Sequence, residues 1–132
     1  MPAVGIVLFY AGINGLLAVA LSFLVVRQRF ATKINLGGGD HPPLERAIRA
    51  HGNFIEYAPL ILLLMLLLAL GGVSPIRLHV IGAALTLGRL LHAWGLSRQS
   101  GTSVGRGAGI MLTWLALLSA AIAALVMGIS AL

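Results

Sequence analysis

Between Glu45 and Pro59 the chain reads ERAIRAHGNFIEYAP, a segment with several polar groups that leads directly into a long apolar run. Arg46, Arg49, Asn53 and Glu56 follow one another at spacings of three, four and three residues. On a helix such spacings share one face. The stripe extends about 15 Å at about 1.5 Å per residue. No charged residue follows Glu56 until Arg77, so this acid ends a polar groove inside an apolar segment. Ionisable groups in a bilayer are expensive and persist mostly where they pair or bind something. Arginines and an asparagine at the open end suit carboxylates, and a buried carboxylate suits an ammonium or a guanidinium. A small zwitterion carrying carboxylates matches both ends.

The next apolar segment supplies Arg89. If the intervening turn centres near Val73, two antiparallel helices bring Glu56 and Arg89 to nearly equal depth, and the two are expected to interact. His92 lies one turn away on one side and Thr86 one turn away on the other. The alternative is that Glu56 and Arg89 only specify helix packing and the rest lines a wet vestibule.

Other chemistries have little support. His41, His51, His79 and His92 are scattered and no pair of them has one-face spacing with an acid, so no metal site is expected. Ser97, Ser100, Thr102 and Ser103 fall in or near a loop without an evident base, which disfavours a nucleophilic triad. With no cysteine, disulfides and thiolate chemistry of the protein's own are excluded.

The elements that must position the stripe are apolar helices. Hydrophobic residues make up 59% of the 132-residue chain and charged residues 9%, against about 25% charged in soluble domains. Four segments approach the roughly 20 apolar residues a spanning helix needs: Ala3–Val26, Leu44–Leu70, Ile76–Ser97 and Arg106–Ser130. The reading is a single all-α domain over residues 1–132, an integral membrane antiparallel four-helix bundle. The first apolar run is longer than a signal-peptide core and lacks a basic stretch before it, so it is expected to remain as a span.

Loop one, Arg27–Pro43, contains GGGDHPP; Asp40 or His41 is expected to cap the second helix, with Pro42 and Pro43 in its first turn. In the first helix, Gly5, Gly12, Gly15, Ala18 and Ser22 offer surfaces for close helix approach, and Asn14 is expected to bond across helices rather than to a ligand. In the fourth, Ala116, Ala120, Ala124 and Gly128 form a small-residue stripe suited to packing, although alanine is also simply common in such helices.

The net charge of +6 reflects loop anchoring rather than nucleic-acid binding. Arg27, Arg29, Lys33, Arg46 and Arg49 flank loop one, Arg98 and Arg106 flank loop three, and only Arg77 follows loop two. Positive loops stay cytoplasmic, so loops one and three are expected inside and both termini on the opposite side. Arg27, Arg29 and Lys33 read as topology anchors and lipid headgroup contacts.

ERAIRAHGNFIEYAP resembles the second-helix signature of the membrane-associated proteins in eicosanoid and glutathione metabolism (MAPEG), a pattern of the form E-R-x-x-R-A-x-x-N-x-x-E-x-x-P. Glu45, Arg46, Arg49, Ala50, Asn53, Glu56 and Pro59 meet it. Chain length, four spans, a long basic first loop and an arginine in the third helix agree with the family. The resemblance implies a homotrimer in a bacterial inner membrane, with glutathione sites between neighbouring subunits and lipophilic substrates arriving from the bilayer. By position, Arg49, Asn53, Glu56, Tyr57 and Arg89 would bind glutathione. His51 would help from the adjacent subunit, and Arg27 or Arg29 would add a first-loop contact. Arg106 would be the catalytic residue that activates the thiol. The chain departs from the leukotriene-forming member where that protein has two tyrosines on the third helix; here stand His92, which can still hydrogen-bond, and Leu96, which cannot. The implied function is a glutathione S-transferase or peroxidase. The alternative is a non-enzymatic lipid- or partner-binding protein of the same fold.

Overall fold

A computed structural model of the chain describes residues 2–98, 101 and 103–132. Gln99, Ser100 and Thr102 of the third loop lie outside the described residues. Four helices follow in order: α1 Pro2–Thr32, α2 Pro42–Leu70, α3 Pro75–Arg98 and α4 Val104–Ala131. All four are long and apolar enough to cross a membrane. The shortest, α3 at 24 residues, reaches about 36 Å at about 1.5 Å per residue, more than the roughly 30 Å hydrocarbon core.

The boundaries differ from the sequence reading chiefly at α1, which continues past Val26 to Thr32. Arg27, Gln28 and Arg29 are therefore helical rather than loop residues. Arginine and glutamine are good helix formers, and nothing stops the helix until Lys33 turns left-handed at φ 59°. Its N–H closes the last turn onto the Arg29 carbonyl at 2.8 Å, a single αL-type cap. Arg29 folds over the loop that follows and donates to the carbonyls of Ile34 and Gly37, each at 3.1 Å. Of the two candidate caps for α2, His41 takes the role: its Nδ1 accepts from the Leu44 N–H at 3.2 Å, with Pro42 and Pro43 in the first turn. Pro59 lies within α2 without ending it.

α2 and α3 form the centre. α1 packs against both, α4 packs against both, and α1 and α4 do not touch. The bundle is thus a rhombus with open outer faces on α1 and α4 and with α3 the most enclosed helix. Its core includes Leu21, Phe54, Ile61, Met65, Leu68, Leu78 and Leu85. Asn14 bonds across helices as expected, donating to Thr86 Oγ1 at 2.9 Å as well as to the Tyr10 carbonyl. Tyr10 also reaches His79, 3.2 Å from its Nδ1.

Lipid tails supply no hydrophobic drive for helices to associate, so membrane helices gain from close van der Waals contact. The closest backbone-to-backbone approach joins α3 to α4. A Cβ on Gly109 would sit 2.5 Å from the His92 amide nitrogen and 2.6 Å from the Gly88 carbonyl. One on Gly95 would sit 2.6 Å from the Arg106 amide nitrogen. Those neighbours are backbone, so they cannot give way. The expected α4 stripe contributes through Ala116 and Ala120, which are buried, and Ala124, which is partly buried against the core, while Gly128 is exposed. The α1 glycines do not serve contacts within the chain: a Cβ on Gly5, Gly12 or Gly15 would meet nothing within 4 Å.

Candidate functional site

At the end of the bundle where α2 and α4 begin and α3 ends, a groove of about 360 Å³ opens between α2 and α4, with α3 as its floor. α2 lines it with Ile48, Arg49, Gly52, Asn53 and Glu56, α3 with His92 and Leu96, and α4 with Arg106. The α2 residues climb one helix face through about 10 Å from Arg49 to Glu56. Arg106 enters because Ser103 caps α4, its side chain accepting from the Arg106 N–H at 3.2 Å. The Gly95 and Gly105 contact then sets that first turn directly onto the end of α3. The Arg106 guanidinium donates back to the Gly101 carbonyl. His92 and Leu96 are buried in the groove wall, while Arg49 and Glu56 are exposed to it.

The expected Glu56–Arg89 interaction does not form. Arg89 is only 2% exposed and turns beneath the groove. Its Nε and Nη2 donate to Thr113 Oγ1 at 2.9 and 2.6 Å, its Nη1 donates to Asn53 Oδ1, and its guanidinium carbon stands 5.6 Å from the centre of the Tyr57 ring. The turn, residues 71–74, does centre near Val73; what differs is the direction of the side chains. The Arg89 guanidinium reaches Asn53 and Thr113, while Glu56 is exposed on the open side of α2. Glu56 has no hydrogen bond or ion pair among the described residues. Arg89 consumes the Asn53 carbonyl oxygen, so the amide NH₂ is what Asn53 offers the groove.

The groove thus gathers Arg49, Asn53, Glu56, His92 and Arg106 from three helices. Four expected members fall elsewhere; the first-loop arginine is one, since Arg27 lines a different pocket and Arg29 binds the Ile34 and Gly37 carbonyls. Arg89 and Tyr57 form a layer behind it. His51 lies beside α1, with Ala18, Ser22 and Phe23. Arg46, placed by its spacing on the same face as Arg49, turns into a different pocket on the α1 side. Sequence reasoning missed Thr113, which is fully buried and takes two guanidinium bonds while donating to the Gly109 carbonyl at 2.8 Å. Its signal was faint: a hydroxyl four residues after Gly109 in a mostly apolar helix that also carries Ser119 and Ser130. No group of three or more His, Asp or Glu that could hold a metal occurs among the described residues.

Chemically, the groove offers two guanidiniums, one amide, one imidazole and one uncompensated carboxylate. Such a set recognises a molecule with both negative and positive groups. Its apolar wall, Ile48 and Leu96, can accept a lipophilic group beside it.

Residues 7–126 match the model of the MAPEG family. The chain is 38% identical over 109 residues to "Inner membrane protein YecN" of Escherichia coli strain K12, covering 83% of this chain and 82% of that protein. The protein of the same name from Escherichia coli O6:H1 matches to the same extent. No solved structure matches.

Proposed function

The chain belongs to the MAPEG family, and on that premise we propose that it is a glutathione-binding membrane protein that acts as a glutathione S-transferase or peroxidase on lipophilic electrophiles. The observation that carries this reading is Glu56, a carboxylate without a hydrogen bond or ion pair among the described residues, in one groove with Arg49 and Arg106. Glutathione has two carboxylates and one ammonium. Arg49 and the Asn53 amide bind a carboxylate at the open end, and Glu56 binds the ammonium deeper in. Arg106 acts on the thiol. A nearby cation favours the thiolate, which is the nucleophile. The thiol proton leaves to solvent, sulfur bonds to the electrophilic carbon, and the leaving group departs with its electron pair. Leu96 and Ile48 guide the electrophile in from the bilayer.

The assembly follows the same reading. A homotrimer places His51 of one subunit beside the groove of the next, and the exposed apolar surface of α1, including its open glycines, supplies contact area. Loops one and three face the cytoplasm, because Arg27, Arg29, Lys33, Arg98 and Arg106 lie at that end and only Arg77 at the other. The E. coli relatives are inner membrane proteins by name, and the same membrane is proposed here.

Calorimetry with the purified protein in detergent tests the site. Glutathione binds saturably, and Arg49→Ala and Glu56→Gln abolish that binding. The absence of binding at millimolar glutathione overturns the reading. The second reading, a non-enzymatic lipid- or partner-binding role, is then favoured, and the observation behind it is Leu96, an apolar wall that donates no hydrogen bond to a peptide. Arg106→Ala tests catalysis separately: binding persists, while the ultraviolet absorbance of the bound thiolate and the conjugation rate are lost. A variant with full conjugating activity removes Arg106 from the mechanism.

A further inference from the structure

A second pocket, of about 430 Å³, opens at the same end of the bundle on the opposite side of α2, between α1 and α3. Its rim carries Arg27 and Gln28 of α1, Arg46 of α2 and Ser97 of α3. Below the rim the lining becomes apolar: Leu21 and Leu24 from α1, Ala47 and Ala50 from α2, Leu90, Ala93 and Trp94 from α3. Outside the lining, the Arg98 guanidinium stands 4.8 Å from the centre of the Trp94 ring. Arg46 also has an interaction within the chain.

The order of chemistry in this pocket matches one ligand class. No carboxylate lines it, so a zwitterion such as glutathione finds no partner here for its ammonium. Two guanidiniums with an amide and a hydroxyl suit a phosphate, which accepts several charge-assisted bonds at once. The leucine floor directly beneath suits the start of an acyl chain and offers nothing to a free inorganic anion. Trp94, half-exposed at the level of the arginines, has the amphipathic character of residues at the membrane–water interface. Basic pockets between spanning helices are where anionic headgroups settle.

We propose that the α1/α2/α3 pocket is a binding site for an anionic membrane phospholipid, with the headgroup phosphate on Arg27 and Arg46 and an acyl chain running down Leu21, Leu24 and Leu90. The site is separate from the glutathione groove and stands whether or not that groove binds glutathione. It also gives Arg27 a role distinct from that of Arg29, which holds the loop carbonyls.

Native mass spectrometry of the full chain in detergent, titrated with phosphatidylglycerol or phosphatidylcholine, tests this. Both lipids present the phosphate, but phosphatidylcholine adds a quaternary ammonium that meets arginines and no carboxylate, so phosphatidylglycerol is retained about tenfold better. The Arg27→Gln/Arg46→Gln double variant loses that preference. Lys33→Gln, which removes a charge nearby but outside the pocket, keeps it. Ala93→Phe, which fills the pocket and leaves both arginines, lowers phosphatidylglycerol retention and so covers the case in which the double variant fails to fold. Equal retention of the two lipids overturns the proposal, as does an equal loss in Lys33→Gln. Displacement of phosphatidylglycerol by glycerol phosphate at matched concentration also overturns it, because the site would then be one for a soluble anion.

Discussion

The two pockets beside α2 begin with arginines three residues apart, yet they are built for different partners. The α2/α3/α4 groove combines Arg49 and Arg106 with Glu56, and its floor carries His92 and the Asn53 amide. The α1/α2/α3 pocket combines Arg27 and Arg46 with leucines and has no acid. The first is suited to a charged molecule with both signs, the second to an anion with an apolar tail. The difference lies in the helix that closes each pocket. α4 meets α3 through glycines and brings a polar first turn, Ser103 to Arg106, against the groove. α1 meets α2 and α3 through larger side chains and brings a leucine face with one guanidinium at its end. What an arginine on α2 recognises is therefore decided by its neighbour across the gap.

The largest expected effect separates the two sites through that glycine contact. Gly109→Ala places a methyl against the backbone of His92 and Gly88, and neither can move without parting α3 from α4. Overpacking of this kind costs about 3 kcal/mol at the upper end of its usual range. Thermal unfolding in detergent should register that loss. Glutathione affinity should fall with it, while phosphatidylglycerol retention, which does not involve α4, should persist. Gly128→Ala on the same helix meets open space and should change neither. If Gly109→Ala weakened both ligands equally, the two sites would not be separately built.

The next effect is smaller and tests the arginines themselves. Removing one charge-assisted bond costs about 1.5–3 kcal/mol, or roughly tenfold or more in affinity. Arg49→Gln should weaken glutathione binding by that amount and leave phosphatidylglycerol unaffected; Arg46→Gln should do the reverse. Calorimetry with each ligand on each variant gives the crossed result. An Arg46→Gln variant that lost glutathione as strongly as Arg49→Gln would return both arginines to one face.

That crossing marks how far the residue pattern could be read. Four helices and the polar face of α2 were legible, because periodicity reports which residues share a helix face and loop length reports which helices are neighbours; Arg106 was expected beside that face only through the family resemblance. Arg46 was not. At 3.6 residues per turn, a step of three residues turns about 60° short of a full circle, and that is enough to carry Arg46 around α2 to the α1 side. His51, two residues from Arg49, is turned further still. The Arg89 partner was missed because depth along a helix does not say which way a long side chain reaches, and Thr113 on α4 and Asn53 take its donors. The glycine contact was invisible for a different reason: Gly88, Gly95, Gly105 and Gly109 have meaning only as pairs across two helices, and one sequence does not pair them.

The smallest expected effect concerns Arg89, where the structure assigns a supporting place in contrast to Glu56. Arg89 is buried and spends its donors on Thr113 and Asn53. Replacing a buried ionic group with an apolar one of similar volume is often neutral or stabilising. Arg89→Met leaves Thr113 with its bond to Gly109 and the Asn53 oxygen at the edge of the groove, so the fold should keep its stability within about 1 kcal/mol. Asn53 loses its anchor, however, and an amide free to rotate binds a carboxylate less well. Glutathione affinity should fall only a few-fold, corresponding to about 1 kcal/mol for a weakened neutral hydrogen bond. Calorimetry beside Glu56→Gln decides the point. A loss in Arg89→Met as large as in Glu56→Gln would mean that the guanidinium touches the ligand after all, and that α2 and α3 shift when the groove is filled.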